Sequence, residues 1–308
     1  MRFPIPENFA RTYIEMHGEA GSAWLAQLQD RIAGLEQRWQ IQVQAPYSLS
    51  YNYVAPAVRV DGEKVVLKIG YPDRELVSEI TALRHYAGKG IVRLLEADPN
   101  LGAFLIERLE PGVPLTEHPD DDEATRIAAQ VMLDLWIPGP ANSEGRLLTV
   151  DLWSRGFKRL RDQFNGGTGP MPAHLVERAE HIYEELQADL APPMLLHGDL
   201  HHWNILSAQR APWLALDPKG IIGEPAYEVG ALLRNPWPDM DGVVELLRRL
   251  PRRLDIFEEM LGFDRQRMLA WSMYQAVLSS WWTYEDHHKV GEEMIAFAEA
   301  HIPLLSAF

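Results

Sequence analysis

The hydrophobic period of this chain changes at residue 41 and changes back near residue 74, and that double switch excludes an all-helical or all-strand fold. Before it, SAWLAQLQDRIAGLEQRW (22–39) sets Trp24, Leu25, Leu28, Ile32, Leu35 and Trp39 on one helical stripe, with Ser22 placed as an N-cap. After it, Ile41, Val43 and Tyr47 alternate, and YNYVAPAVRV runs into the turn pair Asp61-Gly62. KVVLKIG then puts Val65, Leu67 and Ile69 on one face and Lys64, Val66 and Lys68 on the other. RELVSEITALRHYA is helical again, with Leu76, Ile80, Leu83 and Ala87 in register. Two apolar runs, IVRLLEA (91–97) and GAFLIERL (102–109), flank the turn Asp98-Pro99-Asn100. The first third is predicted as helix, three strands, helix, two strands.

Beyond residue 115 the pattern is mostly helical. Helices are expected over DDEATRIAAQVMLDLW, 149–164, 173–190, 240–250, 264–285 and 290–301. One β-like patch interrupts them: MLLHGD, then NIL, then WLALD. The simplest organisation is an α+β, bilobal one. A small antiparallel lobe (1–108, with a helical extension at 20–40) passes through a crossing segment near 107–112 into a larger, mainly helical lobe (109–308). A chain of 308 residues supports two such lobes.

Cysteine is absent, which removes disulfides, thiolate nucleophiles and Cys-ligated zinc. The formal charge of −15 disfavours nucleic acid as a partner, because phosphate contacts need clustered cations. No apolar run reaches the ~18 residues of a membrane span. MRFPIPENFART lacks the basic stretch and apolar core of a secretory signal, so a cytoplasmic protein with a small-molecule substrate is expected.

Polar residues concentrate in the β-like patch. In HGDLHHWNIL (197–206) and the following WLALD, two short strands and their loop would bring Asp199, Asn204 and Asp217 to one edge. Two carboxylates and an amide on apolar supports suit magnesium, which keeps waters and takes substrate phosphates as ligands. Phosphoryl transfer further needs a lysine on the nucleotide phosphates and an aspartate facing the attacking hydroxyl. Lys68 lies in the middle of an apolar strand and is costly there unless paired. Glu79, beside the apolar stripe of the next helix, is the expected partner, ahead of Glu75. Alternatively His197, His201 and His202 could ligate a metal, but no second metallophosphatase motif and no HExxH accompanies them. His197 is expected to be buried and bonded to neighbouring backbone.

The spacing Asp199-x4-Asn204 resembles the catalytic loop of kinases. With VLK (66–68), a helical glutamate and a later aspartate, the chain resembles the kinase-like small-molecule phosphotransferases. LDPKGIIGEPAYEVGALLRNP (216–236) and LIERLEPG (105–112) are similar to the streptomycin/hydroxyurea phosphotransferase branch of the aminoglycoside phosphotransferases. The resemblance covers about residues 20 to 240 and implies a protein-kinase-like fold with ATP in the cleft. It implies Asp199 as catalytic base, Asn204 and Asp217 as Mg2+ ligands, and Lys68, held by Glu79, on the α/β phosphates. Residues 107–109, Glu107 to Leu109, would be the hinge facing adenine. His201 falls where protein kinases usually place a lysine and would approach the transferred phosphate.

Three departures accompany it. The stretch before Lys68 has Ser48 and Ser50 but no glycine to cover phosphates. Glu228 stands where aspartate is expected in PAYEVG, and the short run from Asp217 to Tyr227 leaves no room for a long activation segment. The acceptor is therefore a small polar molecule, with streptomycin or a related aminoglycoside one candidate. A metabolic kinase for an amino sugar or another alcohol, and a nucleotide-binding pseudokinase, stand as alternatives. The Glu285–His288 cluster reads as a solvated helix end or an acceptor lining, Asp120–Glu123 as helix N-terminal charge, and Trp203, Trp281 and Trp282 as the tryptophans to examine.

Overall fold

The computed structural model describes residues 4–140, 145–236 and 240–306, so the first three residues of MRFPIPENFART lie outside it. Helix α1 (Glu7–Trp39) starts well before Ser22. Its helical geometry breaks at Gly18 (φ 57°), a conformation glycine adopts without a Cβ penalty. Ser22 lies a turn beyond that break, its hydroxyl donating to the Gly18 carbonyl at 3.4 Å, so it is not the cap of the helix start. The first half of α1 is held by Phe9 and Tyr13, the latter stacked on Trp24 at 4.4 Å.

The small lobe is a five-stranded antiparallel sheet in the order β1-β2-β3-β5-β4, built from β1 (Ile41–Val43), β2 (Tyr53–Arg59), β3 (Lys64–Ile69), β4 (Leu94–Asp98) and β5 (Ala103–Glu107). The alternation in KVVLKI has a direct structural cause. Val65, Leu67 and Ile69 pack with Leu28, Ile32 and Leu35 of α1 on the outer face. Val66, Phe104 and Ile106 face α2 (Arg74–Tyr86) and join the main core. Asp73 caps α2 by accepting from the Leu76 amide. The apolar run from 91 is not all strand. Ile91 bridges to Ala215, and the Val92 amide donates to the Ala215 carbonyl at 2.9 Å, so these residues tie the lobes together ahead of β4.

After β5 the chain passes a cis Glu110–Pro111 bond into β6 (Pro111–Pro114), which pairs with β10 (Ile205–Ala208) beside β11 (Trp213–Ala215). A second small sheet, β7 (Ile137–Pro138), β9 (Met194–Leu196), β12 (Ile221–Gly223) and β8 (Leu148–Thr149), carries the other flank of the catalytic loop. Helices α3 (Asp121–Leu135), α4 (Val150–Gln163), α5 (Ala173–Gln187), α6 (Val229–Leu233), α7 (Met240–Leu261), α8 (Arg265–His287) and α9 (Glu292–His301) complete the lobe. Helix α8 is buried without interruption from Met268 to Trp281 and forms its axis, as expected of a helix apolar on all sides.

Helix α7 runs eleven residues past the expected end at 250, through Pro251. Its second half is fixed by Leu254 and Phe257 in the core and by Arg253, 1% exposed. Arg253 donates to both Asp121 oxygens (2.6 and 3.0 Å) and to the carbonyls of Leu232 and Asn235. The acidic run 120–123 therefore does more than charge a helix end: Asp120 caps α3, while Asp121 and Asp122 hold Arg253 and Arg252 of α7. No helix among the described residues is long and apolar enough to cross a membrane.

Candidate active site

Lys68 sits on the α2 face of β3, directly opposite Phe104 of β5, and its ammonium lies 2.8 Å from both oxygens of Glu79. It also contacts Asp217 from the other lobe. Burial opposes the ammonium, but Asp217 and then Glu79 outweigh it and push Lys68 above its ordinary pKa. Glu75 is not part of this pair. It faces Lys219 instead, at 3.1 Å. Ser78, next to Glu79, is fully buried. Its hydroxyl donates to the Gly220 carbonyl (2.8 Å) and accepts from the Leu148 amide (3.0 Å), fastening α2 to the larger lobe.

The loop between β9 and β10 is organised by His197 and Glu228. His197 is buried, donates Nε2–H to the Leu216 carbonyl (2.8 Å), and so presents Nδ1 as acceptor to the Asp199 amide (3.3 Å). Burial lowers its pKa to about 4, keeping the ring neutral. The Glu228 carboxylate accepts from the His197 amide (2.7 Å) and the Gly198 amide (2.8 Å). Gly198 has φ 88°, and a Cβ there would lie 2.4 Å from Ile221, so both backbone and space demand glycine. The three histidines do not converge: His202 lies by the Asp121–Arg253 pair, and among the described residues no three His, Asp or Glu side chains form a metal cluster.

Asp199 emerges from this frame with Oδ1 accepting from Arg234 Nη2 (3.3 Å) and Oδ2 3.7 Å from His201 Nε2. Burial works against its carboxylate, and His201, Arg234 and Lys219 overcome that and hold its pKa below the ordinary value. Asn204 donates Nδ2–H to the Asp199 carbonyl (3.0 Å), leaving Oδ1 without a protein partner among the described residues. The Leu216 amide donates to the Asn204 carbonyl (3.0 Å), which sets Asn204 and Asp217 at the same end of the β10–β11 hairpin. Asp217 takes φ 63°, unusual for a non-glycine residue. Burial raises its pKa, and Lys68 and Lys219 reverse that, leaving it well below the carboxylate range. An amide oxygen and an ionised carboxylate are hard oxygen donors, a set that fits magnesium completed by waters and phosphate oxygens.

The remaining expected residues lie around this centre. The Glu107 amide donates to the Arg93 carbonyl (3.0 Å), while its carboxylate accepts from the Arg93 amide (2.8 Å) and pairs with Arg210 (2.5 Å). Glu107 thus fastens the crossing segment, and Leu109 packs against the main core. Ser48 and Ser50 are exposed in the loop between β1 and β2, with Leu49 buried between them. The hydroxyl of the next residue, Tyr51, senses the charges of Asp286, Lys219 and Glu75, so this loop overhangs the cleft mouth. Trp281 is core, Trp203 is exposed, and Trp282 lies half-buried edge-on to Trp153 at 4.9 Å. Near it, Glu285 pairs with Arg159 at 2.7 Å, and burial raises the pKa of half-buried Asp286. Arg234 and Lys219 were not singled out from the sequence. Each is a lone cation in a polar turn, with no local signal of what it faces.

The model of the family "Aminoglycoside/hydroxyurea antibiotic resistance kinase" matches residues 38–287. A streptomycin 6-kinase of Streptomyces glaucescens is 32% identical over 92% of this chain and 91% of its own length. A hydroxyurea phosphotransferase of Kitasatospora aureofaciens is 30% identical over 96% of this chain and 85% of its own. Among solved structures, an aminoglycoside phosphotransferase in ternary complex with ADP and hygromycin B superposes with a TM-score of 0.62 at 15% identity, over 90% of this chain and 98% of that one.

Proposed function

Because the chain belongs to the aminoglycoside/hydroxyurea antibiotic resistance kinase family, whose members are ATP-dependent phosphotransferases acting on hydroxyl groups of small molecules, we propose how its own residues perform that reaction and on what. The observation that carries the reading is the meeting of Lys68 with Glu79 and Asp217 across the cleft, a few residues from Asp199 and Asn204. ATP lies between a nucleotide-binding lobe (1–108) and a catalytic lobe (109–308). Its adenine is held along Glu107–Leu109, its phosphates lie under the Ser48–Ser50 loop, and Lys68 contacts the α/β phosphates. Asn204 and Asp217 hold Mg2+, which neutralises charge on the phosphates when bound. Asp199 orients the acceptor hydroxyl and takes its proton as the new O–P bond forms and the bond to the ADP oxygen breaks. Arg234 fixes Oδ1 of Asp199, which leaves Oδ2 for the acceptor. His201, 3.7 Å from that oxygen, borders the transferred phosphate.

The acceptor is a cationic, hydroxylated molecule of the aminoglycoside class, streptomycin the first to test. Support comes from Asp286 and Glu75 at the cleft mouth and from the apolar wall of Trp153 and Trp282. ATP with Mg2+ should raise the melting temperature, and ADP release should follow addition of streptomycin in a panel with other aminoglycosides, amino sugars and hydroxyurea. Turnover with an uncharged alcohol and none with any aminoglycoside would overturn the substrate assignment. Full activity of Asp199→Asn would overturn the base.

A further inference from the structure

The reading above leaves one cleft cation without a role. Lys219, two residues after Asp217, has its amide bonded to the His197 carbonyl at 2.7 Å, and its Cβ is within 3.2 Å of where a Cβ on Gly198 would stand. It is therefore rooted between Asp217 and the loop that ends in Asp199. From there the side chain crosses to the small lobe, where Nζ meets Glu75 Oε2 on the first turn of α2 at 3.1 Å. Its charge reaches both Asp217 and Asp199, the two acids between which a transferred phosphoryl group must pass.

Lys68 and Lys219 differ in how tightly they are held. Lys68 is buried and engaged by Glu79 and Asp217 together. The Lys219–Glu75 contact is open, with 36% of the lysine side chain and 56% of the glutamate exposed, and such pairs are screened and weak. A loose phosphoryl transition state spreads negative charge over three equatorial oxygens, and a compact ammonium on a flexible stem is suited to follow it.

We propose that Lys219 is the second phosphate-directed cation of this site, held by Glu75 until ATP enters and then transferred to a γ-phosphoryl oxygen. The proposal rests on the phosphotransferase reading and deepens it. Glu75 is the resting partner and Lys219 the working group, so the two residues have unequal effects.

The test compares binding of the ATP analogue AMP-PNP and of ADP, each with Mg2+, by calorimetry on the full chain, so that no acceptor is needed. Wild type should bind both. Lys219→Met should weaken AMP-PNP by about tenfold and ADP by less than about twofold, since only the former carries the γ-phosphate oxygens. Lys219→Arg should keep most of the preference. Glu75→Gln should leave AMP-PNP binding undiminished, and it stands in for Lys219→Met should that variant fail to fold. Equal weakening of both ligands by Lys219→Met and by Glu75→Gln would make the pair a simple tie between lobes and overturn the proposal. An unchanged AMP-PNP:ADP ratio in Lys219→Met would overturn it too. Failure of wild type to bind either nucleotide would instead overturn the phosphotransferase reading, and this proposal with it.

Discussion

Replacing Glu228 by glutamine keeps the side chain's shape and changes only what its second terminal atom can do. In the wild type both carboxylate oxygens accept, one from the His197 amide at 2.7 Å and one from the Gly198 amide at 2.8 Å. Glutamine can keep one of these bonds, but its amide nitrogen meets the other N–H donor to donor. One buried donor left without a partner costs roughly 1–3 kcal/mol. Against this stands the burial of the charge itself. Glu228 is 1% exposed, and burial raises its pKa from 4.5 to about 7. An acid whose pKa is higher in the folded than in the unfolded chain stabilises the fold fully below the unfolded value. That stabilisation is lost as pH rises from 4.5 through 7, and the interval corresponds to about 3 kcal/mol. Glutamine does not titrate, so the variant should be the less stable protein at pH 5 and should match or exceed wild type by pH 8. Urea unfolding of both proteins at several pH values measures the difference, and all other titrating groups cancel. Turnover should fall roughly 10- to 100-fold at every pH, because Asp199 hangs from the same backbone and small displacements at the base are expensive. A stability difference constant from pH 5 to 8 would refute the burial argument, and unimpaired turnover would refute the positioning argument.

Other perturbations address the remaining parts of the site. Asp199→Asn should lower turnover by roughly 10²–10⁴ while Mg–ATP still raises the melting temperature, because the base touches the acceptor and not the nucleotide's binding groups. Arg253→Met should cost about 3–5 kcal/mol in urea unfolding by stranding Asp121 and two carbonyls, and Asp121→Asn in the same background should recover part of it. Asp286→Asn should raise KM for streptomycin several-fold with little change in kcat, whereas equal KM values would remove this acid from the acceptor site.

The small lobe was legible because its sheet has two different neighbours. Strand β3 alternates so cleanly because Val65, Leu67 and Ile69 meet α1 while Val66 meets α2, and a lysine interrupting that second face had to have partners. The loop from His197 to Asn204 was legible because all its groups lie within one turn-rich stretch. Misreadings arose where local signals mislead or run out. Pro251 looked like a helix end, yet Arg253, Leu254 and Phe257 carry α7 beyond it through contacts made far along the chain. Ser22 looked like a cap, while the real irregularity was Gly18. The pairing of Lys219 with Glu75 and of Arg234 with Asp199 joins residues separated by 144 and 35 positions, which no periodicity encodes.

The buried Ser78 contacts bear on how the cleft can open. Because its hydroxyl is shared between the Gly220 carbonyl and the Leu148 amide, α2 is stitched at its middle to the far side of the seam, next to the glutamate that grips Lys68. Opening by swinging the sheet alone would drag Lys68 off Glu79; opening by carrying α2 along would tear Ser78 from two backbone partners. In either direction the resting geometry is the assembled one. A helix anchored in this way has no inactive position to occupy, so such a phosphotransferase answers to the arrival of its substrates and works as an always-armed scavenger.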